Sequence, residues 1–132
     1  MQTSGPRFAA SFDERAWSED VAASYPEGSR ARTIAVDARR QFERHGIAAS
    51  ALQACEEDGR DRTRLGNAVK TYLPLSAGPA SSRPFGMLFM PVLRNGRLEL
   101  DFLAFGVRHH PRESRAPTVY AIAHRRLHGR WP

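Results

Sequence analysis

The dipeptide Asn95-Gly96 limits the folds open to this chain more than any other feature. Both residues tolerate the positive φ that a two-residue type I′ hairpin turn requires. An apolar run precedes it at residues 85–93, and a second follows at residues 98–107. The pair therefore reads as a long β-hairpin. Setting Arg94 opposite Arg97 fixes the register: Leu93 faces Leu98, Pro91 faces Leu100, Phe89 faces Phe102 and Met87 faces Ala104. That face is wholly apolar and belongs against helices. The other face carries Val92 with Glu99, Met90 with Asp101, Leu88 with Leu103 and Gly86 with Phe105. It is mixed, which predicts partial cover and a groove or partner surface. Pro91 lacks an N–H, so pairing on one side of this strand ends there or turns away.

The remaining elements arrange themselves around the hairpin. Residues 7–12 read as a short first strand, with residues 1–6 disordered before it. Asp13 is placed to cap a helix in which Trp17, Val21 and Tyr25 form one apolar stripe up to Pro26. A second helix runs from about Ser29 to His45, with Ala31, Ala35, Ala38 and Phe42 on one face and Gly46 just past its end. The two helices make an antiparallel hairpin. Residues 47–57 suggest one more short helix, since Ser50 and Gln53 have the spacing of a capping box. Residues 56–62 are charged enough to read as a solvated turn. Residues 65–75 alternate like a strand, and residues 76–84 form a mobile connector. Residues 117–127 read as a closing helix at the sheet edge. The result is a single α+β domain over residues 1–132, with β-α-α-β-β-β-α order, an antiparallel-to-mixed sheet and the helical hairpin on one face.

The totals exclude several classes. No apolar run approaches the ~20 residues that a membrane helix needs, so no membrane role is expected and a cytoplasmic location is. Cys55 is the sole cysteine, which leaves neither an internal disulfide nor a cysteine metal cluster, and no strong base adjoins it as a nucleophile would need. The net charge of +6 favours a polyanionic partner. Lys70 is the sole lysine among the basic residues. The arginine bias fits a GC-rich coding sequence as readily as a phosphate-binding surface.

The last third of the chain carries a resemblance. Residues 96–110, Gly-Arg-Leu-Glu-Leu-Asp-Phe-Leu-Ala-Phe-Gly-Val-Arg-His-His, look like the final strand and following basic segment of the RelE/ParE superfamily of bacterial toxin–antitoxin toxins. Residues 120–127, with Tyr120, Ala121, Arg126 and Leu127, look like its closing motif. The resemblance implies a toxin of a type II pair, held in check by a cognate antitoxin. A RelE-like member would be a ribosome-dependent mRNA endoribonuclease. A ParE-like member would inhibit DNA gyrase without nuclease activity. A basic module that only binds nucleic acid or protein is the reading outside the family. Homodimers or toxin–antitoxin hetero-oligomers are the implied assemblies. The sequence departs from the nuclease pattern in one place. The arginine that RelE-like enzymes carry in the strand before the last has no counterpart at residues 86–88, and Arg83 is the nearest substitute.

RNA cleavage without a metal or other cofactor needs a base for the 2′-hydroxyl, a cation for the phosphorane and an acid for the leaving oxygen. His109 and His110 titrate near neutrality, and His109 continues the mixed face, which makes it the expected base. Arg108 and Arg112 are placed to hold phosphate. Tyr120 could stack on a base or transfer a proton, and Lys70, Arg83 and Arg126 are further RNA-binding cations. A solvated loop without function would have the same composition at residues 108–112. His124 and His128 have helical metal spacing but no third ligand, so they read as surface residues at a helix end.

Overall fold

The computed structural model describes residues 5–55, 65–109 and 117–129. Strand β1 (Arg7–Phe8) and strand β2 (Ala10–Ser11) replace the single first strand. Helix α1 (Glu14–Trp17) follows, capped by Asp13, whose Oδ2 accepts from the Ala16 amide at 2.9 Å. It runs on into one π turn over Ser18–Ala22. Helix α2 (Arg30–His45) is capped by Ser29 and ends at Gly46, whose φ of 70° suits glycine. A Cβ on Gly46 would also stand 2.8 Å from the Phe8 carbonyl oxygen, which closes the site to other residues.

The short helix expected in residues 47–57 is not formed over its described part, residues 47–55. Strand β3 (Ile47–Ala48), a 3₁₀ turn over Ala49–Ala51 and strand β4 (Gln53–Ala54) occupy it instead. Ile47 is buried, and β3 pairs with β1, so tertiary packing overrides the capping-box pattern. Strand β5 (Val69–Leu73) is shorter than the alternation suggested. Strands β6 (Phe85–Arg94) and β7 (Arg97–Val107) form the long hairpin, with φ values of 52° at Asn95 and 76° at Gly96. Helix α3 (Val119–His128) is capped by Thr118. The charged run at residues 56–62 lies outside the described residues.

The main sheet has the order β2-β7-β6-β5-β4, antiparallel except for the parallel β2–β7 pair. It is a mixed sheet in an α+β domain, as the sequence implies. The α1–α2 pair covers one face, and α3 covers part of the other rather than lying at the edge. Pairing between β5 and β6 stops at Val69 and Phe89, before the residue without an N–H, Pro91. Phe42, Phe89, Phe102 and Phe105 pack between α2 and the sheet. Phe42 meets Phe89 edge to face at 6.1 Å, and Phe85 stacks on Phe105 at 5.6 Å. Among the described residues, no helix is long and apolar enough to cross a membrane.

The expected hairpin register holds from Arg94/Arg97 to Phe89/Phe102 and then changes. Leu88 pairs with Ala104 and Met87 with Phe105, so Leu103 is an inserted residue in a β-bulge. The bulge inverts the alternation beyond it. Phe105 turns into the α2-side core, while Ala104 joins Leu88, Val119 and Ala123 under α3. A bulge also strips backbone groups of their ladder partners, and buried ones must be satisfied elsewhere. Here the Phe105 amide donates to Asp20 Oδ2 at 2.8 Å, and the Leu103 carbonyl accepts from Arg126 Nη1 at 2.7 Å.

Candidate functional site

The changed register decides which basic residue reaches the α3 side of the sheet. Without the bulge His109 would continue that face. With it, Arg108 does: its Cγ lies 3.6 Å from where a Cβ on Gly86 would stand. His109 is exposed beyond the end of β7. His110 and Arg112 lie outside the described residues.

Gly86 and Gly106 are register partners and together make a floor without side chains. A Cβ on Gly86 would meet Val119 Cγ1 at 3.1 Å, and one on Gly106 would meet Ile122 Cδ1 at 3.4 Å. Their lack of a Cβ lets the first turn of α3 sit down on the sheet, where Val119 is fully buried. Position 86 has no room for a long side chain, and Arg108 enters the same space from the neighbouring strand.

Lys70 and Tyr72 are two apart on β5, so both point to the α3 side. Four side chains converge there. The Arg108 guanidinium lies 3.6 Å from the Tyr72 ring centre. Lys70 Nζ is 5.3 Å from the Tyr72 ring and 5.2 Å from the Tyr120 ring. Tyr120, in the first turn of α3, completes the group. All four are half-buried, so the cluster is held by the fold yet open to solvent.

Arg108 is anchored from behind. Its Nη1 donates to the Ala80 carbonyl at 2.8 Å and to the Arg83 carbonyl at 2.9 Å. Its backbone amide donates to the Pro84 carbonyl at 2.9 Å. The connector read as mobile over residues 76–84 is thus tied to the site at its far end. The described bonds of Arg83 to the cluster come from its carbonyl rather than its guanidinium.

The electrostatics separate the two phenols. Burial would lift Tyr72, but the Lys70 hydrogen bond and the charges of Lys70 and Arg108 outweigh it and hold the phenol below its ordinary range. Burial dominates at Tyr120 and pushes its phenol up, against the pull of Lys70 and Arg108. Burial acts to lower Lys70, but hydrogen bonding to Tyr72 and the nearby phenols and thiol raise it, so the amine stays an ammonium. Cys55 is buried, and its thiol is pushed up to about 11 by desolvation, with Lys70 opposing. That suits an inert cysteine.

Arg126 does not join this cluster. Its guanidinium, expected from the sequence to contact RNA, is taken up by Asp20, Glu19 and the Leu103 carbonyl. His124, read as a surface residue, is buried, with its ring 4.5 Å from that of His128. No group of three metal-ligating side chains occurs among the described residues. Sequence reasoning brought out Lys70, Arg108 and Tyr120 but missed Tyr72, although the period-two spacing of Lys70 and Tyr72 was available as a signal. Compared with known proteins, the chain matches no family model, no curated protein and no solved structure.

Proposed function

We propose that this chain is a metal-independent endoribonuclease, acting in the cytoplasm as the toxin of a type II toxin–antitoxin pair on mRNA at the ribosome. The observation that carries the reading is the convergence of Lys70 and Arg108 with Tyr72 and Tyr120 on one open face. Two anchored cations can bind a phosphodiester and stabilise the charge of a pentavalent phosphorane. Aromatic faces beside them can stack on the unpaired bases of single-stranded RNA. The resemblance of the last strand and closing helix to the RelE/ParE superfamily supports the same reading, and it supplies the antitoxin as the expected partner. Arg108 over Gly86 offers an arginine where the family's strand arginine is lacking.

Induced expression tests this. Growth arrest with mRNA cleavage inside ribosomes is expected, relieved by Arg108→Ala and by Lys70→Met. His109→Ala should leave most of the arrest in place, because His109 stands outside the cluster. Arrest with intact mRNA and gyrase-dependent DNA breaks would replace this reading with gyrase inhibition. No toxicity, with only salt-sensitive nucleic-acid binding, would reduce the chain to a binding module.

A further inference from the structure

We infer that Tyr72 is the proton acceptor for the RNA 2′-hydroxyl at this site, and that Lys70 is the proton donor to the leaving 5′-oxygen. The inference rests on the endoribonuclease reading and assigns its acid and base.

The geometry around Tyr72 singles it out. Its partner across the ladder on β6 is Gly86, so no side chain stands between the phenol and the end of β7. Arg108 reaches over the ring from that end, at 3.6 Å. Lys70 lies on the same face of the same strand, and its Nζ is shared between the Tyr72 and Tyr120 rings. The groups acting on Tyr72 are thus Lys70 from β5 and Arg108 from β7, both cationic. Those acting on Lys70 are Tyr72, Tyr120 and Cys55. Those acting on Tyr120 are Lys70, Tyr72 and Arg108. Among the described residues, no carboxylate is one of them. Cations on both sides favour the phenolate. The two tyrosines are driven apart, Tyr72 down and Tyr120 up, and such divergence within one site separates a base from a group that keeps its proton.

The proton inventory closes without a cofactor. Tyr72 in its deprotonated form takes the proton of O2′. O2′ bonds to phosphorus while Arg108 neutralises the phosphorane. The P–O5′ bond breaks, its electron pair passes to O5′, and O5′ takes a proton from the Lys70 ammonium. The products are a 2′,3′-cyclic phosphate and a 5′-hydroxyl. The Tyr72 hydroxyl then returns its proton to the neutral Lys70 amine beside it, which restores the starting pair.

The test is single-turnover cleavage of an mRNA on programmed ribosomes, from neutral to alkaline pH, with wild type and Tyr72→Phe. The wild-type rate should climb with pH to a plateau. Tyr72→Phe should fall roughly 10²- to 10⁴-fold and lose that rise. A second measurement needs no activity: ultraviolet titration of the three tyrosines, Tyr25, Tyr72 and Tyr120. One should ionise below the others in the wild type and move up in Lys70→Met. Tyr72→Phe cleaving within about threefold of wild type, with the same pH profile, overturns the assignment and leaves the endoribonuclease reading standing. So does the absence of an early-titrating tyrosine, even if Tyr72→Phe fails to fold. Cleavage that is absent in wild type at every pH removes the endoribonuclease reading and this assignment with it.

Discussion

Asp20 and Arg126 stand 106 positions apart and form a two-point ion pair, with Nη1 to Oδ2 at 2.7 Å and Nη2 to Oδ1 at 2.5 Å. The pair sits under the β7 bulge and ties three elements together. Asp20 comes from the π turn after α1, Arg126 from α3, and between them they bond the Phe105 amide and the Leu103 carbonyl. The bulge that brings Arg108 to the site is therefore held by a largely buried charge pair whose two residues come from opposite ends of the chain.

Breaking that pair should be costly. Asp20→Ala leaves the largely buried guanidinium with only the exposed Glu19 as counter-charge and strands the Phe105 amide, for an expected loss of about 3–5 kcal/mol in urea unfolding. Replacing both residues, as Asp20→Leu with Arg126→Met, removes the stranded charge and should recover much of the loss. Recovery should stop short of wild type by about 1–3 kcal/mol, because the amide and carbonyl at the bulge lose their partners. A double variant as stable as wild type would show that the bulge does not need them.

The same carboxyl makes an acid-range prediction of unusual sign. Burial raises Asp20 above its reference of 3.8, and the hydrogen bonds from Arg126 and the Phe105 amide only partly offset this. The folded state then holds the proton more tightly than the unfolded chain does. Its contribution is fully present below the unfolded value and is lost as pH rises through the folded one. The stability advantage of wild type over Asp20→Asn should accordingly shrink as pH rises through the acid range. An exposed ion pair would show the reverse.

The glycine floor predicts a ranked pair of substitutions. Gly86→Ala puts a Cβ 3.1 Å from Val119 Cγ1 and 3.6 Å from Arg108 Cγ, with Val119 held in a filled core. Overpacking of this kind costs about 1–3 kcal/mol, and here it should also displace Arg108 and, under the proposed function, lower RNA cleavage. Gly106→Ala meets its neighbours at 3.4 Å and 3.5 Å, close to ordinary contact, and touches α3 rather than the cluster. It should cost less stability and leave RNA affinity near wild type. Thermal melts and filter binding on the two variants would rank them.

Much of this architecture could be read from local patterns. The Asn95-Gly96 turn, the Asp13 cap and the Gly46 stop each depend on a residue's own backbone preference, and each stands where expected. The bulge at Leu103 depends on a partner far away in sequence, Asp20, inside a turn that reads as ordinary amphipathic helix. A one-residue shift moves every later side chain to the opposite face. Period-two reasoning therefore carried His109 onto the site's face, where the fold places Arg108 instead. The residues of the site were mostly nameable, but their facing was not. Tyr72 escaped notice because an aromatic residue in a strand is ordinary core material. Its two cations arrive only through the fold.

Arg108 combines two jobs that a conservative substitution can separate. Its Nη1 holds the loop through the Ala80 and Arg83 carbonyls, while its planar group stacks on Tyr72. Arg108→Lys keeps one positive charge but loses the fork and the flat stacking surface. Under the proposed function, RNA binding should weaken, with its salt dependence nearly unchanged, because the number of charges near the phosphate is the same. Arg108→Ala should instead reduce the salt slope by about 1. Both variants should speed hydrogen exchange at the Arg83 amide, which donates to the Ala80 carbonyl in the turn that Arg108 clasps. If Arg108→Lys bound RNA as tightly as wild type, with the Arg83 amide still protected, charge alone would account for the residue. The stacked, loop-anchored geometry would then have no part in recognition.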